Sequence, residues 1–366
     1  MRRKWCSRVA ARLVRRHGWL LLVLAVLNSC ASTVHQPLRP VTPVPTPTPQ
    51  PIRLPADDAP HAVLTEWWYY TGHLTSHDGQ QYGFEFVVFQ IQRVGAPIFY
   101  AAHFAITDHQ RRQFHYDQRS WTLAEMPSRF AVGTGGWQMA GEGSIDTLKA
   151  SMPEYAVDLR VSPVKAPALH GNNGVISFGA DGDSYYYSAT RLAVEGTMSD
   201  HGVRRTVTGI AWKDRQWGNF LTLVGGGWDW FSIQLSDGTD LMLFLLRGAL
   251  GEVSPAYGTL VNPDGSTESL APGAARVNVT SHWTSPHTGA TYPSGWSIDL
   301  PARGMQLQVV PILKDQELDT RASTGQVYWE GEATISGQSQ GQKVTGQGYV
   351  ELTGYARSSV PTGATQ

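Results

Sequence analysis

The sequence predicts an all-β protein of sandwich or barrel type. Three observations carry that expectation. Apolar residues alternate through runs such as Tyr82–Ile91 (YGFEFVVFQI) and Trp230–Leu235 (WFSIQL), the two-residue period of a strand with one buried face. Asp78-Gly79, Asp237-Gly238 and Asp264-Gly265 each separate two such runs, and Asp-Gly in that setting is a strong hairpin signal. Finally, the 366 residues include 38 glycines, 13 tryptophans and 14 tyrosines. Gly-rich turns between many short strands favour sandwiches and barrels, whose interiors large aromatic rings fill or line. Apolar stretches with helical period are nearly absent beyond the first thirty residues; one short helix is expected within 312–322 (ILKDQEL).

Taken from the beginning, residues 1–29 read as an export leader. Arg2, Arg3, Lys4, Arg8, Arg12, Arg15 and Arg16 form a basic segment without an acid, and Gly18–Leu27 is an apolar run of ten residues. That run is too short to span a bilayer and long enough for a signal peptide. Leu27-Asn28-Ser29-Cys30 then resembles a bacterial lipobox, so Cys30 is expected to carry a lipid that anchors the protein to a membrane. Ala31, not Asp, follows it, which favours the periplasmic face of the outer membrane. Cys6 is the other cysteine and would leave with the leader. The mature chain then has no free thiol for a disulfide, a thiolate metal site or a cysteine nucleophile.

Without the leader the chain carries 22 basic and 30 acidic residues, a net charge of −8. Nothing resembles the basic stripe of a nucleic-acid binder. Residues 30–55 hold eight prolines and the run VTPVPTPTPQP, an extended tether that reaches roughly 75 Å at ~3.1 Å per residue. The folded part is expected to start near Asp57. A boundary near residue 220 divides it into segments 56–220 and 221–358, with a short tail at 359–366.

Several aromatic motifs then carry a resemblance. They are Glu66-Trp67-Trp68-Tyr69-Tyr70-Thr71-Gly72, Tyr82-Gly83-Phe84-Glu85-Phe86, Ala102-His103-Phe104-Ala105-Ile106-Thr107-Asp108, Tyr186-Tyr187-Ser188-Ala189-Thr190-Arg191, and Gly209-Ile210-Ala211-Trp212-Lys213-Asp214-Arg215-Gln216-Trp217-Gly218. Gly227-Trp228-Asp229-Trp230-Phe231, Tyr328-Trp329-Glu330-Gly331 and Gly346–Tyr355 (GQGYVELTGY) complete the set. Over residues 57–356 the chain resembles the lipocalin-like AttH family, which includes the carotenoid 1,2-hydratases (hydroxyneurosporene synthases). The resemblance implies two consecutive lipocalin-like β-barrels, no cofactor, and an essential aspartate in a Trp/Gly-rich segment at the domain junction. Asp214 is the matching position.

The chemistry of that residue can be argued directly. A carboxyl among Trp rings is desolvated, so its pKa rises and it holds a proton near neutrality. It would protonate an alkene, leave a tertiary carbocation for the rings to stabilise, and let water add. The alternative is that Lys213 or Arg215 pairs with Asp214 and pins a strand. Glu66 and Asp229 are further candidates, each able to orient a ligand hydroxyl or water, or to pair with a base such as Arg191. His103 and His61 are candidate general bases near neutral pH. Trp67, Trp68, Tyr70, Tyr187, Trp212, Trp217, Trp228 and Trp230 are the candidate ligand-binding rings. Strand alternation puts Glu66, Trp68 and Tyr70 on one face and Trp67 and Tyr69 on the other.

No HExxH or HxH pair is present, and His73 and His77 do not share a helix, so no catalytic metal is expected. Gly337-Gln338-Ser339-Gln340-Gly341 matches the pattern of a nucleophile elbow but lies between two β-rich runs. An elbow needs a following helix, so this segment is expected to be a hairpin turn. Two functions remain open: acid-catalysed hydration of an isoprenoid- or polyene-like substrate, and non-catalytic carriage of such a ligand.

Overall fold

The computed structural model describes residues 50–177, 182–220, 226–248 and 251–356. The leader, Cys30, most of the tether, residues 221–225 beside the expected boundary and the tail 359–366 lie outside the described residues.

Twelve strands form the first sheet: β1 (Thr65–Ser76), β2 (Gln81–Ile91), β3 (Ile98–Asp108), β4 (Gln113–Leu123), β5 (Ala131–Thr134), β6 (Trp137–Glu142), β7 (Ile145–Ser151), β8 (Tyr155–Pro163), β9 (Ala168–Leu169), β10 (Val175–Ser177), β11 (Asp183–Asp200) and β12 (Val203–Gly218). They follow the order β4-β3-β2-β1-β12-β11-β8-β7-β6-β5, with β9 and β10 attached to β11. This barrel is nearly closed. Across the gap between its edge strands, Arg119 of β4 donates to the Gly135 carbonyl after β5 at 2.5 Å and stacks 4.4 Å over the Trp137 ring.

The second sheet is built from β13 (Gly227–Leu235), β14 (Asp240–Arg247), β15 (Ala256–Val261), β16 (Thr267–Val279), β19 (Trp296–Leu300), β20 (Met305–Pro311), β21 (Glu317–Thr320), β22 (Gln326–Ser339) and β23 (Gln342–Thr353), with β17 (His282–Thr284) and β18 (Thr291–Pro293) as a separate small hairpin. Pairing of β20 with β22 closes this sheet into a barrel.

The three Asp-Gly pairs form the turns β1–β2, β13–β14 and β15–β16, and their glycines have φ of 85°, 87° and 85°. A side chain with a Cβ rarely adopts that region. The helix expected within 312–322 is absent; β21 occupies the segment. There Glu317 turns inward and accepts hydrogen bonds from Thr288 at 2.6 Å and Tyr292 at 2.8 Å. Tertiary partners outweigh the local helical preference.

Each barrel interior is filled with side chains. In the first, Phe86 and Phe104 meet Trp137 edge-on, and Trp68 stacks on Phe130. In the second, Phe231 meets Trp296 edge-on and Trp296 packs on Trp329. The outer faces of the two sheets bury a third apolar cluster between them, including Tyr69, Val87, Tyr186, Trp212, Trp230, Met242 and Tyr349.

Ionic contacts join the same faces. Arg191 reaches Asp240 at 2.6 Å, and Glu332 accepts from His73 and His109, each at 2.7 Å. Gly83 makes room for that junction, because a Cβ there would overlap the Glu332 carboxylate and the Tyr349 hydroxyl. Gly83→Ala is expected to destabilise the fold by about 1–3 kcal/mol through overpacking. A denaturant midpoint equal to wild type would contradict it.

Candidate active site

Alternation along β1 and β12 sorts the predicted residues into two groups. Antiparallel register places Glu66, Trp68 and Tyr70 opposite Trp217, Arg215 and Lys213, and Trp67, Tyr69 and Thr71 opposite Gln216, Asp214 and Trp212. The first group faces the interior of the first barrel. The second faces the opposing sheet, where Trp67, Tyr69, Asp214 and Gln216 line a cavity of about 460 Å³ between the two barrels. Trp67, Tyr69, Phe89 and His103 come to it from the first sheet, and Trp228, Trp230, Phe244 and Tyr328 from the second. A cavity of this size with mostly apolar walls and few polar groups is what a small-molecule site requires.

Asp214 is the carboxyl aimed at this cavity from β12. Burial pushes it up to about 6, against hydrogen bonds from Ser188, Tyr186 and Trp212 that work the other way. Trp212 Nε1 donates to Oδ1 at 2.6 Å, Ser188 donates to the same oxygen, and Tyr186 donates to Oδ2. Neither neighbouring cation reaches it. Lys213 turns into the first barrel, 2.8 Å from Asp58 and 2.9 Å from Asp146. Arg215 turns the same way and meets Glu66 at 2.6 Å. The period-two backbone separates Asp214 from both.

A second layer orients these donors. His170 lies 2.6 Å from Ser188 Oγ through Nε2 and 2.8 Å from Thr259 Oγ1 through Nδ1. Burial lowers its pKa to about 3, so the ring is neutral. Because the Ser188 proton is committed to Asp214, His170 donates from Nε2 and accepts from Thr259 at Nδ1. Trp230 Nε1 donates to the Tyr186 hydroxyl at 3.0 Å.

Three further carboxyls, for which the sequence suggested no role, sit on the same faces. Glu351 of β23 lines the cavity and accepts from Trp228 Nε1 at 2.8 Å. Burial raises it to about 7, with a further push from the Asp214 charge. Glu330 of β22 stands directly opposite Glu351 in the register, an arrangement that disfavours two like charges. Burial first, then Glu351 and Glu85, push Glu330 well above the usual carboxylate range. Tyr69 donates to Glu330 at 2.8 Å. Glu85 of β2 is likewise raised well above the usual range by burial, and Tyr328 donates to it at 3.2 Å. The available signal was register. Glu85 interrupts an apolar alternation, and Glu330 and Glu351 lie inside two aromatic motifs.

The remaining expectations are corrected or placed as follows. Trp67, Trp228, Trp230 and His103 line the cavity, and Trp212 packs behind Asp214. Trp68, Tyr70, Tyr187 and Trp217 belong to the first barrel's interior side, away from the cavity, because alternation turns them there. Glu66 is fully buried and tied to Arg215, not to Arg191. His61 stacks on Trp217 and holds Glu66 through Nδ1 at 2.7 Å. Asp229 faces the second barrel's interior, paired with Arg247 and bonded by Tyr355 at 3.0 Å. His103 is held by Tyr328 and Ser323 at 2.8 and 3.0 Å, and burial lowers it to about 3. A ring that resists protonation at neutral pH is a poor general base. Ser339 ends β22 at a two-residue hairpin turn, Gln340-Gly341, with φ of 50° and 78°; a strand follows, so no nucleophile elbow exists there.

Comparison with known proteins agrees with this architecture. Residues 45–355 match the model of the AttH-like family. A crystal structure of an AttH protein from Nitrosomonas europaea superposes with a TM-score of 0.77 at 31% identity, covering 86% of this chain and 100% of that one. Kievitone hydratase from Nectria haematococca has the same fold, with a TM-score of 0.67 at 19% identity over 83% of this chain and 93% of its own. Dehydratase asqC of Emericella nidulans is 26% identical over 307 residues, 78% of this chain and 84% of that protein. With a family model matching residues 45–355 and a 31% identical structure covered end to end, the chain belongs to the AttH-like family.

Proposed function

We propose that the cavity between the barrels adds water to, or removes water from, a carbon–carbon double bond of an apolar, isoprenoid- or polyene-like substrate. The observation that carries this reading is Asp214, a buried carboxyl raised to about 6, paired with no cation among the described residues and facing an aromatic cavity of about 460 Å³. Protonation of a trisubstituted alkene leaves a tertiary carbocation. The faces of Trp67, Trp228 and Trp230 would stabilise it by ~0.5–2 kcal/mol each. A water-poor cavity keeps the reactive intermediate from side reactions. The resemblance to a dehydratase over most of its length supports the same reaction class, because elimination is hydration run backwards.

The test starts from purified residues 50–366, which keep the Asp57–His61 segment docked on Arg215 and Glu66. Solvent extraction and mass spectrometry identify any co-purified ligand. Acyclic isoprenoid polyenes and their tertiary alcohols are then incubated in heavy-oxygen water. Label in the product, lost in Asp214→Asn, is the expected result. An intact apolar ligand in the extract, with no label incorporated by the wild type, would make the protein a carrier.

The proposal extends to location: export by residues 1–29 and lipidation of Cys30 would hold the barrels at the bacterial outer membrane, beside a source of apolar substrate. Cys30→Ala is expected to move the protein from the membrane fraction to the soluble envelope fraction. Retention of the variant in the membrane would refute the anchor.

A further inference from the structure

We propose that Glu351 is the second catalytic carboxyl of this cavity, the proton-holding member of a pair in which Asp214 is the carboxylate. The assignment rests on the reading of the cavity as a hydration site and reverses the role that the sequence suggests for Asp214. Hydrogen-bond inventory is the first argument. Asp214 accepts from three donors, Tyr186, Ser188 and Trp212, spread over both oxygens. Behind Ser188, His170 bridges Ser188 and Thr259 and holds the hydroxyl in place. Such an inventory suits a charged acceptor and leaves a proton on Asp214 in competition with donors already in place. Glu351 is served by one donor among the described residues, Trp228 Nε1 on Oε2. No described donor reaches its Oε1.

Placement is the second argument. Glu351 stands opposite Glu330 on the neighbouring strand, and Glu330 Oε2 is buried without a hydrogen-bond partner. The groups facing Glu351 are Asp214 on β12, Glu330 and Tyr328 on β22, Glu85 on β2 and Tyr69 on β1. Arg247 of β14 also lines the cavity, but it is committed to Asp229 and the Thr353 carbonyl. Among the described residues no free cation faces it, so a charge on Glu351 meets other acids and phenols there, and the proton stays. The upward shifts run the same way, Glu351 to about 7 and Asp214 to about 6. Environments that separate two titrating groups assign the acid and the base.

The reaction then balances. In hydration the Glu351 O–H bond breaks, and the alkene π pair takes that proton to form a C–H bond, leaving the tertiary cation. A lone pair of water forms the C–O bond, and Asp214 accepts the proton that this water releases. Glu351 ends as carboxylate and Asp214 as acid. Proton return from Asp214 to Glu351 through water restores both, and the net change is alkene plus water to alcohol. Dehydration runs the same steps in reverse.

Carboxyl titration tests this without any substrate, so its failure is separable from failure of the hydration reading. Protein is labelled with carbon-13 at the Glu side-chain carboxyl in one sample and the Asp side-chain carboxyl in another, and NMR follows both from pH 4 to 9. A glutamate titration near neutrality, absent in Glu351→Gln and shifted to lower pH in Asp214→Asn, is expected. Glu85 and Glu330, both pushed well above the usual carboxylate range by burial, are assigned by their own Gln variants and so resolved from it. An aspartate titration, lost in Asp214→Asn, that lies above the glutamate one, or a near-neutral glutamate titration that survives Glu351→Gln, would overturn the assignment. Both substitutions are near-isosteric, and the dispersion of the spectra reports directly whether the variant is folded.

Discussion

Asp214→Asn is expected to lower the rate of water addition or removal by ~10²–10⁴-fold, the usual contribution of one positioned acid–base group, while making the protein more stable at neutral pH. The two effects share a cause. The folded-state pKa of Asp214, about 6, lies above its ordinary 3.8. Between those values the folded chain binds a proton that the unfolded chain has released, so stability falls as pH rises through this window. One pKa unit corresponds to about 1.4 kcal/mol, and the cost above the window is on the order of 3 kcal/mol. Asparagine has no proton to lose and keeps one carbonyl oxygen for Ser188 and Trp212. The gap in melting temperature between variant and wild type should therefore open from pH 4 to pH 7 and then level off. A variant that is less stable than wild type at pH 8 would mean that the three hydrogen bonds outweigh desolvation. Stability gained by removing a functional group is the common trade-off at active sites.

Breaking the Glu66–Arg215 pair should have the largest effect on stability. Both side chains are fully buried, 0% exposed, with Arg215 Nη2 on Glu66 Oε1 at 2.6 Å. Arg215 also donates to the Trp67 carbonyl at 2.8 Å and stacks 4.2 Å over Trp68. Glu66 accepts from the His61 backbone at 2.8 Å and from Gln90 at 3.3 Å. Arg215→Met leaves a buried carboxylate without its cation, at a cost of about 3–5 kcal/mol. Adding Glu66→Gln removes the orphaned charge and should recover much of that loss. Urea unfolding of the two single variants and the double variant measures this directly. Equal midpoints for Arg215→Met and wild type would show that His61 and Gln90 suffice. Because these residues face away from the cavity, the folded double variant is expected to keep the titration of Glu351.

Much of the fold was legible because its signals are local. The turns at Gly79, Gly238 and Gly265 need a backbone conformation that an Asp-Gly pair announces. The alternation of Glu66 to Tyr70 placed Trp67 and Tyr69 together on one face, as the structure does. The 312–322 segment misled because its charged and apolar spacing fits a short helix, whereas the hydrogen-bond partners of Glu317 come from β18 and the turn before it. Glu351 lies inside an aromatic motif whose letters give it no role. Its opposite neighbour Glu330 lies on another strand, and only pairing register brings two like charges face to face.

What the sequence determined by itself was the strand period, the turns, the family and which side chains share a face, since all of these follow from residues near one another along the chain. The location of the site belonged to the tertiary structure. Within a strand, an inward and an outward position look alike when both carry tryptophan. The outer face of the first sheet becomes an interior only because the second sheet covers it. Burial between the barrels, not the local neighbours Lys213 and Arg215, sets the charge state of Asp214. That burial arises from contacts between strands far apart in the chain.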